Sequence, residues 1–227
     1  MICNKGQARM VMPDIWNSFA HTHQLTDTQL DLFKQYATLL QDWSVKINLT
    51  TITSAPDILD YHFADSLAAA PLIAKNNYHT IADIGTGGGF PGIPLKIKFP
   101  HLTVYLLEVN QKKINFLHEV IRALSLDNVI IVDLDWRTFL RTTNYSIDLF
   151  CARASLSVKE LLRVFASDHY RNAHLLYWAS TQWQPTDHEQ TYLVEQYPYQ
   201  VGNKQRVLIQ FASHKKSYKV PINGTWK

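Results

Sequence analysis

Apolar residues set two rhythms along the chain, and the change between them falls near residue 79. Before it, Leu25, Leu32, Phe33, Tyr36, Leu39, Leu40 and Trp43 recur at three- and four-residue spacing, which predicts an amphipathic helix with Thr26 or Asp27 as its cap. A break follows at Asn48-Leu-Thr-Thr51. Ser54-Ala-Pro-Asp57 then reads as a second helix entry with Pro56 near its first turn, and Asp65–Lys75 as a short helix broken by Pro71.

After residue 79 the pattern becomes short apolar runs rich in strand formers: HTIADI (79–84), LTVYLLE (102–108), NVIIVD (128–133), SIDLFCA (146–152) and HLLYWA (174–179). Helical stretches separate them. The clearest is Lys112–Leu126, with Ile114, Leu117, Ile121 and Leu124 on one face. Such alternation predicts an α/β fold in which helices cover both faces of a mostly parallel sheet. YLVEQYPYQVGN and QRVLIQFA (205–212) follow each other without a long helix between them, so the sheet is expected to end in an antiparallel hairpin. The expected organisation is a helical N-terminal extension, 1–77, packed on a core, 78–227.

Composition narrows the class. Hydrophobic content of 46% and charged content of 18% over 227 residues describe a globular chain able to bury a sizeable core. The net charge of +3 suits an anionic partner only weakly. Two cysteines, Cys3 and Cys151, cannot make a disulfide framework, which points to a reducing compartment, and Cys151 reads as a core residue. The first residues carry no signal-peptide apolar region, and the longest run without a polar residue, Leu67–Ala74, is far short of a membrane span. A cytoplasmic monomer is expected. The 10 histidines fall in no metal-ligand spacing with cysteine or carboxylate, so no metal is expected.

The chemistry concentrates in IADIGTGGGFPGIP (81–94). Of 8 glycines in the chain, five lie between Gly85 and Gly92, directly after a predicted strand. Asp83-x-Gly85-x-Gly87-x-Gly89 fits the loop of class I S-adenosyl-L-methionine (SAM) methyltransferases, while Gly87-x-Gly89-x-x-Gly92 fits the dinucleotide fingerprint. Pro91 and Pro94 lack an N–H where a pyrophosphate needs donors, which favours the first reading. Glu108 ends the next strand, about 20 residues on, where a carboxylate accepts hydrogen bonds from ribose hydroxyls.

GTGGGFPGIPL, with INLTTI (47–52) and YHFADSLAAAPLI (61–73) upstream, resembles the bacterial small-subunit ribosomal RNA methyltransferase G family (RsmG/GidB). The likeness runs from about Leu39 to Arg153 and more faintly beyond. It implies a class I methyltransferase fold, SAM as cofactor, and methylation at N7 of a guanine in 16S rRNA of the small ribosomal subunit. It also implies that Asp83, Gly85, Gly87, Gly89, Phe90, Glu108, Trp136, Arg137 and Arg153 serve the cofactor, with Arg153 facing the reaction as the candidate catalytic residue. Asp135-Trp136-Arg137 stands where the family usually has Arg-Ala-Glu, and Tyr177-Trp-Ala-Ser-Thr181 where it commonly has Lys-Gly.

N7 of guanine bears a lone pair and no proton, so alignment rather than a general base is the requirement. His62 and Asp65, three apart, are expected to join the extension to the sheet. Lys112, Lys113, Arg137, Arg141, Lys159, Arg163 and the tail HKKSYK (214–219) are the candidate RNA contacts. Two other readings stay open: a non-catalytic rRNA-binding or assembly factor on the same fold, and a nicotinamide-dependent oxidoreductase.

Overall fold

The computed structural model describes residues 14–153, 157–165 and 170–214; Cys3 and the basic positions 215–219 lie outside them. Helix α1 (Ile15–Thr22) starts on the side chain of Asp14, and α2 (Asp27–Ile47) on a reciprocal box in which Thr26 and Gln29 cap each other's backbone. The buried stripe of α2 is Leu30, Phe33, Tyr36, Ala37, Leu40 and Ser44, the predicted face, and Asn48 ends it in the left-handed region at φ 50°.

Ser54 caps α3 (Ala55–Ile58), with Pro56 in its first turn, and the helical path continues through a π-helical turn, Leu59–Ala64, into α4 (Asp65–Leu67). Helix α5 (Ala70–Asn76) follows. Pro71 therefore does not break a helix over 65–75. It lies in the first turn of α5, where its missing N–H would have had no partner anyway, and the interruption falls at Ala68–Ala69.

From Thr80 onward strands and helices alternate: β1 (Thr80–Ile84), α6 (Gly92–Lys98), β2 (Thr103–Leu107), α7 (Gln111–Ala123), β3 (Val129–Val132), α8 (Trp136–Thr142), β4 (Leu149–Arg153), α9 (Val158–Phe165) and β5 (His174–Ser180). A short α10 (Asp187–Gln190) leads to the hairpin β6 (Leu193–Val201) and β7 (Lys204–Ala212). The seven strands lie in the order β3-β2-β1-β4-β5-β7-β6, parallel except for the hairpin, which pairs antiparallel to β5 through β7.

Alternating side chains separate onto the two faces. Leu149, Cys151, Leu176, Trp178 and Leu208 join a core shared with α2, the π turn, α6 and α7. Phe150, Ala152, Leu175, Ile209 and Phe211 join a second core with α8 and α9. No described helix is long and apolar enough to cross a membrane. Because the strand order reverses beside β1, the carboxyl ends of β1, β2 and β4 open on one crevice.

One carboxylate bolts the N-terminal helices to the far half of the sheet. Asp65, 2% exposed, accepts the Tyr199 hydroxyl at 2.6 Å and Arg153 Nη1 at 3.1 Å, and Arg206 Nε lies 3.1 Å away. Its backbone carbonyl takes the Trp178 indole N–H at 2.8 Å. Asp65→Ala strands two arginines and a tyrosine, and is expected to lower the unfolding free energy by about 3 kcal/mol. Urea unfolding followed by tryptophan fluorescence measures it; a change below about 1 kcal/mol would show that the junction does not depend on this charge.

Candidate functional site

The glycine loop leaves β1 into the crevice. Gly85 and Gly87 hold φ of +65° and +60°, a region closed to most side chains, and a Cβ at Gly85 would meet nothing within 4 Å. Their open side is a surface against which a ligand can lie. Gly92 does the opposite: a Cβ there would come 2.6 Å from Leu106 and 3.0 Å from Asp83, so glycine permits α6 to start tight against the sheet.

Asp83 lies fully buried beneath the loop. Its Oδ2 accepts the Thr86 hydroxyl at 2.6 Å and the Gly92 N–H at 2.8 Å, while Oδ1 is buried without a partner. Burial raises its pKa to about 6 against those two hydrogen bonds and the distant Arg153, with Glu108 adding to the rise. The Gly92 donor is therefore engaged, and Pro91 and Pro94 have none, so α6 offers its first turn poorly to an anion.

Glu108 follows β2 and binds the loop directly. Its Oε2 accepts the Gly87 N–H at 3.0 Å, and Oε1 accepts Val109 N–H and Asn110 N–H at 3.0 and 2.9 Å. Oε1 has both acceptor directions filled, whereas Oε2 keeps one lone-pair direction for a ligand hydroxyl. Lys113 Nζ stands 4.0 Å from Oε2.

On the other side Phe90 is stacked between two rings. His62 lies 4.3 Å away and nearly parallel, Tyr36 lies 5.5 Å away, and the Arg153 guanidinium sits 5.0 Å from the same ring. The Tyr36 hydroxyl donates to the Gly88 carbonyl, fixing the loop from the helix below. Burial, assisted by Arg153, pushes the His62 pKa down to about 3, so its imidazole stays neutral. Thr50, His62, Phe90, Arg153 and the 85–88 loop enclose a cavity of about 160 Å³. A cleft of about 1020 Å³ between α1, α5 and the end of β6 is larger but has no part of the glycine loop in its wall.

Asp83, Gly85, Gly87, Phe90, Glu108 and Arg153 thus share one crevice. Gly89, at φ +93°, packs inward against Ile93 and Tyr36. Trp136 turns its ring into the second core and is 7% exposed. Arg137 lies over that ring at 4.5 Å and pairs with Glu160 at 2.7 Å, joining α8 to α9. Asp135 caps α8 through the N–H groups of Arg137 and Thr138. His62 joins the extension to the sheet as expected, and it also lines the cavity. Tyr36 and Thr50 were not among the expected site residues: Tyr36 reads as part of an apolar stripe, and Thr50 as part of a helix break.

The comparisons with known proteins agree on a family. A family model described as GidB, rRNA small subunit methyltransferase G, matches residues 29–199. Ribosomal RNA small subunit methyltransferase G of an Exiguobacterium species is 44% identical over 110 residues, covering 48% of this chain and 46% of that protein. The protein of the same name from Desulfitobacterium hafniense is 40% identical over 141 residues, covering 61% and 58%. The chain aligns with about half the length of these relatives. Among solved structures, M. capricolum TrmK in complex with S-adenosyl-homocysteine superposes with a TM-score of 0.51 at 19% identity, covering 67% of this chain and 70% of that one. A putative caffeoyl-CoA O-methyltransferase from Staphylococcus aureus superposes with a TM-score of 0.54 at 13% identity, covering 86% and 97%. These likenesses show the fold, the class I methyltransferase arrangement.

The buried Asp83 makes a measurable pH signature. With a folded pKa of about 6 against an ordinary 3.8, its contribution to stability is fully present at low pH and is lost as pH rises from about 4 to about 6. His62 and His23, both lowered, act in the opposite sense and cancel when wild type is compared with Asp83→Asn. Relative to the variant, wild type is expected to lose roughly 2 kcal/mol across that window. Urea titrations of both proteins from pH 4 to 7 measure it, and parallel curves would refute the raised pKa.

Proposed function

The chain belongs to the rRNA small subunit methyltransferase G (GidB) family, and from that premise we propose that it methylates N7 of a guanine in 16S rRNA, with SAM as the methyl donor. The observation that carries the reading is the pairing of the open Gly85–Gly87 backbone with Glu108 through the Gly87 N–H, in a crevice that ends at Arg153.

The residues present fit the cofactor. SAM carries two ribose hydroxyls, an ammonium and a sulfonium, and no phosphate. Glu108 supplies a carboxylate acceptor, Oε2, for a ribose hydroxyl. The positive-φ glycines allow the backbone to pass close to the methionyl part. Asp83, buried without a cationic partner in contact, places negative charge under the loop, which favours a cationic ligand. A pyrophosphate would meet prolines and an engaged N–H instead, which counts against a nicotinamide cofactor.

When bound, SAM supplies an electrophilic methyl group on sulfur. The chain has then to orient an acceptor and exclude water. No proton has to leave N7, and the nearby titratable groups are arranged accordingly: His62 is held neutral, and Cys151 is fully buried with its thiol pKa pushed well up. Ligand order follows strand order. With the ribose held by Glu108 after β2, the adenine would lie toward β3 and the methionyl end toward β1 and β4, and Arg153 would then face the acceptor. Its rigid guanidinium is the candidate catalytic group there, as an electrostatic and orienting contact. Exposed Lys112, Arg141, Lys159 and Arg163 are proposed as phosphate contacts, which would position the RNA without reading it. The proposed working form is a monomer acting on the small subunit in the cytoplasm.

Methyl transfer from radiolabelled SAM to small subunits from cells lacking this enzyme tests the reading, with the label mapped by nuclease digestion. Label recovered as 7-methylguanine at a single position is expected. SAM binding without transfer to rRNA would move the assignment to another acceptor, and absence of both would leave an rRNA-binding role. Glu108→Ala is expected to weaken SAM binding about 10- to 100-fold by calorimetry, through the loss of charge-assisted hydrogen bonds. Unchanged affinity would remove Glu108 from the site.

A further inference from the structure

Two segments outside the glycine loop, Leu49-Thr50 and His62-x-x-Asp65, meet Arg153 at the cavity and fix which way its neighbours' protons point. Arg153 Nη1 donates to Asp65 Oδ2 at 3.1 Å and to the Tyr61 carbonyl at 3.3 Å. Its Nη2 faces His62 Nδ1 at 3.4 Å. A guanidinium can only donate, so Nδ1 must present its lone pair, and the single proton of the neutral ring sits on Nε2. Stacking on Phe90 holds the plane of the ring, and the contacts to Thr50 and Arg153 set which nitrogen faces which.

The consequence passes to Thr50. His62 Nε2–H donates to Thr50 Oγ1 at 3.0 Å, and the Ile52 N–H donates to the same oxygen at 3.1 Å. Both acceptor directions of the hydroxyl are occupied. Its proton is left to donate, and Thr50 lines the cavity together with Arg153. Arg153 Nε–H and the second Nη2–H likewise have no partner among the described residues. The side chains of Thr50 and Arg153 are therefore left to this wall as donors.

We propose that the Thr50 hydroxyl and the Arg153 guanidinium form a donor-only site that reads the O6 acceptor of the target guanine, with His62 as the residue that sets the polarity of Thr50. This rests on the guanine-methylation reading above. O6 adjoins N7 on the same edge of the base, so holding O6 also registers N7. Adenine presents an amino group at that position, which would face these donors and leave them unpaired, a mismatch that discriminates strongly. The lowered pKa of His62 keeps the relay in one state across working pH.

Two measurements test it. In the ligand-free protein, long-range ¹⁵N–¹H correlation on labelled histidine is expected to show His62 with its proton on Nε2; a proton on Nδ1 overturns the relay. The second uses small subunits reconstituted with the mapped guanine replaced by 2-aminopurine, which lacks O6. Wild-type kcat/KM is expected to fall about 10- to 100-fold on that change. Thr50→Val is expected to be slow on guanine and nearly indifferent to the replacement, within about threefold, whereas Thr50→Ser recovers the penalty. A full penalty in Thr50→Val overturns the inference alone, since a structural effect scales both substrates equally. A wild-type protein that transfers to no subunit sinks the reaction and this inference together.

Discussion

The structure depends on a buried carboxylate meeting two arginines at a point where four strands and one helix come together. Asp65 has no solvent to support its charge, and β4, β6 and β7 supply Arg153, Tyr199 and Arg206. Trp178 from β5 takes the same residue's carbonyl. Removing water from such a group costs several kcal/mol, and the geometry must return it in full. The π-helical turn just before Asp65 contributes to that geometry, since a wider turn shifts which side chains share a face. It sets Asp65 against Arg153 and His62 against Phe90 at once, so the junction of the extension and the wall of the crevice are one construction.

Three acids in this region differ because their partners differ. Asp65 is met by cations. Glu108, 8% exposed, is met by three backbone N–H groups spread over both oxygens. Asp83 has only a hydroxyl and one N–H for one oxygen and nothing for the other, so burial dominates and its pKa rises. The crevice is therefore polarised, with Asp83 and Glu108 at the β1 and β2 ends and Arg153 at the β4 end. A cationic cofactor and an anionic nucleic acid would meet opposite signs there.

The fold is legible in the sequence because strand–helix alternation and the apolar stripe of α2 are local signals, and the glycine loop announces itself by composition. Glu108 is legible from spacing. The rest of the site is not, because it is made by contacts distant in sequence. Tyr36 reaches Gly88 across 52 positions, Arg153 reaches Asp65 across 88, and Tyr199 reaches Asp65 across 134. Nothing near Tyr36 separates a core tyrosine from one that pins a loop. Thr50 has the same limitation: its two donors become visible only when the His62 ring is in place. Pro71 misleads because a proline inside an apolar run looks the same at a break and at a first turn.

The exchange at 135–137 has a local cause that bears on how the two ends of the crevice are held. Asp135 is a helix cap, a position that favours a short carboxylate over arginine, so the acid here is accounted for by α8 alone. The arginine two positions later is drawn over Trp136 and onto Glu160, with both charged side chains more than 40% exposed. An ion pair so exposed contributes little, about 0–1 kcal/mol. The proposed adenine side is thus closed by a weak surface contact between α8 and α9, while the proposed acceptor side is fixed by buried charge at Asp65. That asymmetry puts rigidity where the proposed acceptor would be aligned and leaves compliance where the proposed cofactor would enter and leave.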